Sequence, residues 1–403
     1  MKLNPIILLN KLQPLPAIII ALSLAVAIIL YPQPVFQAAA RGLDAWFNIV
    51  IPALLPFFII SQIFMGLGVV NFLGVLLEPI MRPLFNVPGN GAFVMAMGYT
   101  SGAPISAMLT AQLRSQQMLT RVEAERLLCF TNNASPLFML GAVAVGMLHN
   151  PALGPVIATA HYGANFCLGL LFRFYGRRQV ASPPKRYRLL VLPRRAWQAM
   201  LQAQRQNNRP LGQILADAVN HSFQTLITIG GFIILFSVII QIATFYGLMQ
   251  PLAKLLLFIH SPLGLAPEAA PALAAGCLEM TMGAKFASEA AISTRDQLVT
   301  VSLILGWAGL SILGQVAAMV SKTDISLGPF IIARLLHGFL AAILVQFCQG
   351  PAQPVLQKLA QHTAMETGFS WLNLWLASSG FALMLLFIFC ALAVLGLIAR
   401  NFL

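Results

Sequence analysis

Apolar positions along the chain gather into runs near or above 18 residues, the length a helix needs to cross a bilayer core. Eight runs read as spans: residues 15–31, 43–66, 124–148, 153–173, 218–246, 297–320, 328–348 and 370–399. Two more stretches, 89–112 and 269–291, are apolar overall but interrupted near the middle by glycine and polar residues. Each half is too short to cross a core of about 30 Å at about 1.5 Å per residue. These two are expected to be re-entrant helical hairpins, tolerated only where protein or a water-filled cavity covers the backbone. The expected fold is all-α, a polytopic membrane protein with eight transmembrane helices and two hairpins.

The blocks 42–173 and 215–348 repeat one order: span, short amphipathic piece, hairpin, charged start, interrupted span, span. Leu140-Gly141 with Val143-Ala144 matches Leu313-Gly314 with Val316-Ala317 at an offset of 173. Phe47 with Phe223, and Gly98 with Gly276, fall at similar places. Starting inside and crossing at every span, the first block begins outside and the second inside. The repeats are then inverted, with interrupted segments meeting near the midplane, the usual plan of secondary transporters. The remaining pieces are an N-terminal span in 1–41, a basic loop at 174–214, and an outer loop with a last span in 349–403.

Composition agrees. Charged residues make up 9% of the 403, against about 25% in a soluble domain. The net charge of +13 would suggest nucleic acid, but its placement does not. Ten Lys and Arg lie between Arg173 and Arg209 with no acid among them, directly after a span. The positive-inside rule explains such a run as a cytoplasmic juxtamembrane loop, and anionic lipid headgroups as its partners. The topology puts 18 basic residues inside and 4 outside, so an inner-membrane protein with both termini cytoplasmic is expected. Lys2 and Lys11 precede the first run, and Ala38-Ala39-Ala40 resembles a cleavage site. The run is long for a signal peptide, and Pro32 and Pro34 intervene, so it reads as a retained span. The five cysteines sit in apolar segments without a CxxC pair and read as small buried hydrophobes.

Candidate chemistry lies where the apolar runs break. Gly98-Tyr99-Thr100-Ser101-Gly102-Ala103-Pro104 forms the tip of the first hairpin. Free N–H groups of a half-helix there favour an anion, and Thr100, Ser101 and Gly102 could contact it. Thr131, Asn132, Asn133 and Ser135 interrupt span 124–148 just before Pro136. Broken helices of this kind line substrate or ion sites, though the amides could equally serve cross-helix packing. The second hairpin carries Glu279, Thr281, Lys285 and Glu289. Glu279 could take a coupling cation (Na+ or H+), and Lys285 an anionic solute or a structural pair with Glu279. Gln315 is the candidate of the second interrupted span. His161 and Arg334 fall at matching places in the last span of each repeat. Arg334 is expected to snorkel at the cytoplasmic end, with His161 deeper. No metal site, cofactor or enzyme signature is expected.

Gly98-Tyr99-Thr100-Ser101-Gly102, Glu123-Ala124-Glu125-Arg126-Leu127-Leu128, Thr131-Asn132-Asn133-Ala134-Ser135-Pro136-Leu137-Phe138 and His161-Tyr162 together resemble the YlbJ (SpoVV) family of sporulation integral membrane proteins. The resemblance covers about residues 40–350 and is clearest in the first repeat. It implies a nucleoside-recognition, or Gate, domain and an architecture similar to concentrative nucleoside transporters. In spore formers it implies movement of dipicolinate across a membrane. The expected function is a transporter or permease for a small polar, anionic solute, working by elevator-like or rocking movement. The alternative is a non-transporting membrane scaffold or regulator with the same fold. The expected partners are the solute and the bilayer, with an oligomer left open and no nucleic acid.

Overall fold

A computed structural model describes residues 15–177 and 191–349 of the chain. All regular structure among them is helical. Helix α1 (Leu15–Leu30) stops before Pro32, which cannot donate to the preceding turn. The chain then bends by 110° into α2 (Pro32–Ala45), so residues 15–31 do not run on into the next span. A π-wound turn, Trp46–Val50, carries α2 into α3 (Ile51–Gly66). The element expected at 43–66 therefore starts eleven residues earlier. Gly68, at φ 74°, turns the chain by 85° into α4 (Val69–Phe85).

The first hairpin is α5 (Gly91–Ser101) and α6 (Ile105–Ser115). Then come α7 (Arg121–Thr131), a break, a π-wound helix α8 (Leu137–Met147) and α9 (Leu153–Phe172). The same order returns in α11 (Leu211–Phe245), α12 (Met249–Leu263), hairpin α13 (Ala270–Leu278) and α14 (Met280–Glu289), broken helix α15 (Thr294–Trp307) and α16 (Gly309–Val320), and α17 (Gly328–Gln349). Both hairpins form as expected. The loop expected at 174–214 instead contains helix α10 (Leu192–Asn207). Its Leu192 and Ala196 are buried, and Gln204 donates to Leu67 O at 2.9 Å.

Among the described residues four helices are long and apolar enough to cross a membrane, or six if each bent pair counts once. The difference from the eight expected arises because span 124–148 is unwound in its middle and the first spans are bent. Span 370–399 lies outside the described residues. Cys129 and Cys348 are buried as expected, whereas Cys167 is exposed.

Equivalent helices of the two repeats pack antiparallel. A Cβ at Gly42 would lie 3.2 Å from Ser237 Cβ, Trp46 Nε1 donates to Leu226 O at 2.8 Å, and a Cβ at Gly66 would lie 3.7 Å from Ile214 Cβ. As one number rises the other falls, so α2–α3 and α11 run in opposite directions. Helices α9 and α17 do the same, pairing His161 with His337 and Asn165 with Arg334. The repeats are thus inverted.

Their register is not uniform. The first broken helix spends residues 132–136 on its break, where the second spends Ala308. The offset of 173 holds at the N-caps Thr120 and Ser293 and again along α8 and α16, because the longer α15 makes up for its shorter break. Around the two histidines it is 176, so His337, not Arg334, is the partner of His161.

Basic side chains gather at one end of the bundle. Arg82 bridges Glu78 at 2.8 Å and Glu123 at 2.7 Å. Glu123 closes a capping box with Thr120, and Glu125 accepts from Ser326 N at 2.9 Å. Arg126 donates to Asn86 O and Tyr175 O. Arg114 and Asp324 pair through two bonds of 2.8 Å, which hold the Asp324 carboxyl below its ordinary value. The Glu-Ala-Glu-Arg run of the motif is therefore a fastening of loops rather than a ligand site.

The antiparallel register can be tested by cross-linking. The Cβ spacing of 3.7 Å between positions 66 and 214 is within disulfide range. Gly66→Cys with Ile214→Cys is expected to form a disulfide in membranes under mild oxidation, seen as a mobility shift after protease cleavage in the 178–190 segment. Gly66→Cys with Ser237→Cys is expected to form none; the reverse outcome would exclude the antiparallel pairing.

Candidate functional site

The tip of the first hairpin is built for close backbone approach. Gly102 has φ 84° and ψ −169°, a conformation open essentially to glycine. A Cβ there would stand 2.8 Å from Ser135 N, and one at Gly98 would stand 2.2 Å from Thr131 O. Ala103 N donates to Asn133 O at 2.6 Å. The hairpin therefore leans, backbone on backbone, against the break in the next helix.

That break starts at Asn132, which is extended at φ −88° and ψ 95°, because Pro136 cannot continue the ladder of α7. Unwinding frees backbone groups that hydrocarbon cannot satisfy. Side chains from α9 and α17 take them up. Arg334 donates from Nη2 to Cys129 O at 2.7 Å and from Nη1 to Asn132 O at 2.5 Å. Asn165 Nδ2 donates to Phe130 O and to Asn133 Oδ1. Ala134 N donates to His161 Nε2 at 3.1 Å, and Tyr162 OH donates to Tyr99 O at 3.0 Å. Ser135 Oγ accepts from Phe138 N at 3.1 Å and so caps α8.

The bonds fix the tautomers of both histidines. His161 Nε2 accepts, so its proton sits on Nδ1. His337 Nε2 donates to His161 O at 2.9 Å, so its Nδ1 accepts from Arg334 at 2.9 Å. The rings lie 4.3 Å apart, both fully buried. A continuous chain thus runs from Asn132 O through Arg334 and His337 to His161.

Arg334 is 1% exposed and does not snorkel. A guanidinium that binds two carbonyls of an unwound helix must stay at the depth of the break. Among the described residues no carboxylate pairs with it.

Other expected residues divide. Thr100 donates back to Ala96 O and Met97 O, and Thr131 to Leu127 O, as helix-satisfied hydroxyls do. Ser101 Oγ, both side-chain polar atoms of Asn132, Asn133 Nδ2, His161 Nδ1 and Arg334 Nε are buried with no partner among the described residues. Sequence reasoning missed Asn165 and His337. The signal was present: Asn165 stands one turn after His161, and His337 one turn after Arg334, on faces that meet.

The second hairpin repeats the plan with less polar chemistry. It breaks at Glu279, whose Oε2 caps α14 by accepting from Met282 N at 2.8 Å, with half-buried Thr281 between them. It leans on the break at Ala308 (φ 72°) and Gly309 (φ 83°), where a Cβ on Gly309 would sit 3.0 Å from Leu278 O. Lys285 does not pair with Glu279; it lies 3.9 Å from Glu289, both side chains more than half exposed. One turn separates those two on the outer face of α14, whereas Glu279 belongs to the tip. Gln315 is buried, donates to Ser311 Oγ at 3.3 Å and leaves Oε1 without a partner. Met280, beside Glu279, packs on both core clusters, so the second tip borders the seam between them.

The Arg334 bonds make a prediction. Arg334→Met leaves two buried carbonyls without donors, at about 1–3 kcal/mol each. The variant is expected to lose at least about 2 kcal/mol of stability, read as a lower unfolding midpoint in detergent micelles, with Arg334→Lys recovering part. A Met variant as stable as the parent would mean that the carbonyls have other donors.

A family model described as Gate, nucleoside recognition, matches residues 47–151, which hold the first hairpin and first break. Two solved structures have related chain traces. CNTnw in an inward-facing substrate-bound state gives a TM-score of 0.42 at 14% identity, covering 82% of this chain and 86% of that one. A variant of CNTnw in an outward-facing state gives 0.41 at 14% identity, with 81% and 86% covered. The sporulation integral membrane protein YlbJ of Bacillus subtilis (strain 168) is 44% identical over 345 residues, 85% of this chain and 84% of the relative. At that identity and coverage, the chain belongs to the YlbJ family of sporulation integral membrane proteins.

Proposed function

We propose that this membrane protein is a transporter for a small anionic solute, bound at the break between α7 and α8 and the tip of the first hairpin. One observation carries the reading. Around Asn132 the buried groups without a partner are mainly donors: Ser101 Oγ, Asn132 Nδ2, Asn133 Nδ2, His161 Nδ1 and Arg334 Nε, with Asn132 Oδ1 the one amide acceptor. Each such group costs about 1–3 kcal/mol when buried alone. A carboxylate or similar anion supplies the missing acceptors, and Arg334, paired with no described carboxylate, supplies the balancing charge.

In this reading the hairpins and broken helices move together past α2–α3 and α11, exposing the site to each side in turn. The basic end faces the cytoplasm, in line with the positive-inside rule, in an inner membrane with both termini inside. Glu279, at the second tip, is the group suited to a coupling proton or Na+. Thr281 and Gln315 border the solute from the second repeat, whereas Lys285 lies on the outer face and meets the solute only outside the bundle.

Proteoliposomes loaded with labelled dipicolinate, simple dicarboxylates and nucleosides test this. Saturable flux is expected for an anion of the panel. Asn132→Ala and Ser101→Ala are each expected to lower it about tenfold, the scale of one lost hydrogen bond to a charged group. The unfolding midpoint should stay within a few degrees of the parent, since neither side chain has a partner among the described residues. Absence of saturable flux for every solute would leave the scaffold reading in its place.

A further inference from the structure

A second polar feature lies away from both breaks. A cavity of about 600 Å³ opens between α3 and α11 on one side and α6 and α16 on the other, toward the basic end. Its walls are helical stripes. On α11, otherwise apolar, Asp217, His221, Gln224, Thr225 and Thr228 all line it, at spacings of 4, 3, 1 and 3 that put them on one face. The opposite face carries exposed Phe223 and Ile227, suited to lipid. On α6 the stripe is Met108, Ala111, Gln112 and Ser115, again on one face. A polar stripe on a membrane-spanning helix is what a water-filled wall requires.

The charge of this wall is positive. Asp217 is taken up by Arg209 at 3.4 Å. Lys322, on the rim beyond α16, has no carboxylate partner among the described residues, since Asp324 is engaged by Arg114. Deeper in, Gln62 and Gln112 exchange two amide bonds of 3.3 and 3.4 Å, while the Thr225 hydroxyl donates back to His221 O at 2.9 Å and lies 3.3 Å from Met108 Sδ. Long amide bonds are weak partners that a solute oxygen can displace.

The cavity also points at the site. Met108 is one turn into α6 from the tip of the first hairpin. Gln315, with its free Oε1, is one turn beyond Met319 on α16, and Met319 lines the cavity.

We infer that this cavity is an anion antechamber: a second, weaker station for carboxylate-bearing solutes, with Lys322 as its charge and the amides of Gln62 and Gln112 as its hydrogen-bonding neck. Its purpose rests on the transport reading, but its existence does not.

The test is thiol labelling at Thr228→Cys in proteoliposomes of the full chain. Peptide mass spectrometry reads position 228, so the native cysteines stay in place. Rates with an anionic and a cationic methanethiosulfonate are each normalised to a free thiol in solution. One uncompensated charge acting over about 6–10 Å in water changes a monovalent reagent's local concentration about two- to threefold each way. The anionic reagent is therefore expected to be favoured about four- to tenfold. Lys322→Gln should remove the preference, and millimolar dipicolinate should slow labelling in the parent more than in K322Q. Ser115→Cys, on the opposite wall, serves the same purpose if Thr228→Cys does not fold. Equal normalised rates, or no labelling at either position, overturn the antechamber whatever the flux assay gives. A preserved anion preference without flux for any solute overturns the transport reading and leaves the antechamber standing.

Discussion

A helix unwound within a membrane must find donors and acceptors for its backbone without water, and here Arg334 is the one side chain among the described residues that takes up two of its freed carbonyls. Its two terminal nitrogens hold Cys129 O and Asn132 O, while His337 and Asn165 hold the guanidinium in turn. The donor for the break in the first repeat therefore comes from the last helix of the second. Neither repeat can complete its own polar accounting, so the antiparallel contact of α9 and α17 is a condition of the first break. The hairpin tip is secondary to it: Gly98 and Gly102 can lean on Thr131 and Asn133 only if that stretch is already extended.

The elements that could be read from the sequence were those punctuated by special residues. Gly98 to Pro104 and Asn132 to Pro136 announced a tip and a break because glycine and proline limit the backbone locally. The inverted order followed from the recurrence of such punctuation. What escaped were properties of pairs. Arg334 was expected at the surface because an arginine near a span end usually snorkels, and only its partners place it inside. Lys285 was set against Glu279 by closeness in sequence, whereas helix geometry gives it Glu289, one turn away. The polar face of α11 was hidden by the strong apolar average of span 218–246, although its spacing was helical. The fold was thus more legible than the site, because a site is made by residues that meet from different elements.

The two repeats share a backbone plan but not its chemistry. The first break uses five residues and two asparagines; the second uses Ala308 and Gly309 and fits its hairpin by absence of side chain. Two identical polar breaks would double the number of buried groups needing partners, and α9 and α17 cross only once near the histidine pair. One break rich in donors and one that is mainly small residues lets a single crossing serve. Around its own tip and break the second repeat keeps Glu279, with Ser311 and Gln315 behind it.

Such asymmetry also separates the strong seams from the weak. Hairpin tips meet broken helices through backbone contacts too close for a Cβ, at Gly98, Gly102 and Gly309. Contacts of that kind resist sliding, because any shift brings main-chain atoms into collision. The seam between α6 and α3, by contrast, is held by the long amide pair of Gln62 and Gln112 and by contacts to the thioether of Met108. Flexible side chains can exchange such partners with water or solute at little cost. Under the transport reading, the wall of the cavity is the seam among the described residues where sliding costs least, and the hairpins and broken helices would travel along it as one piece.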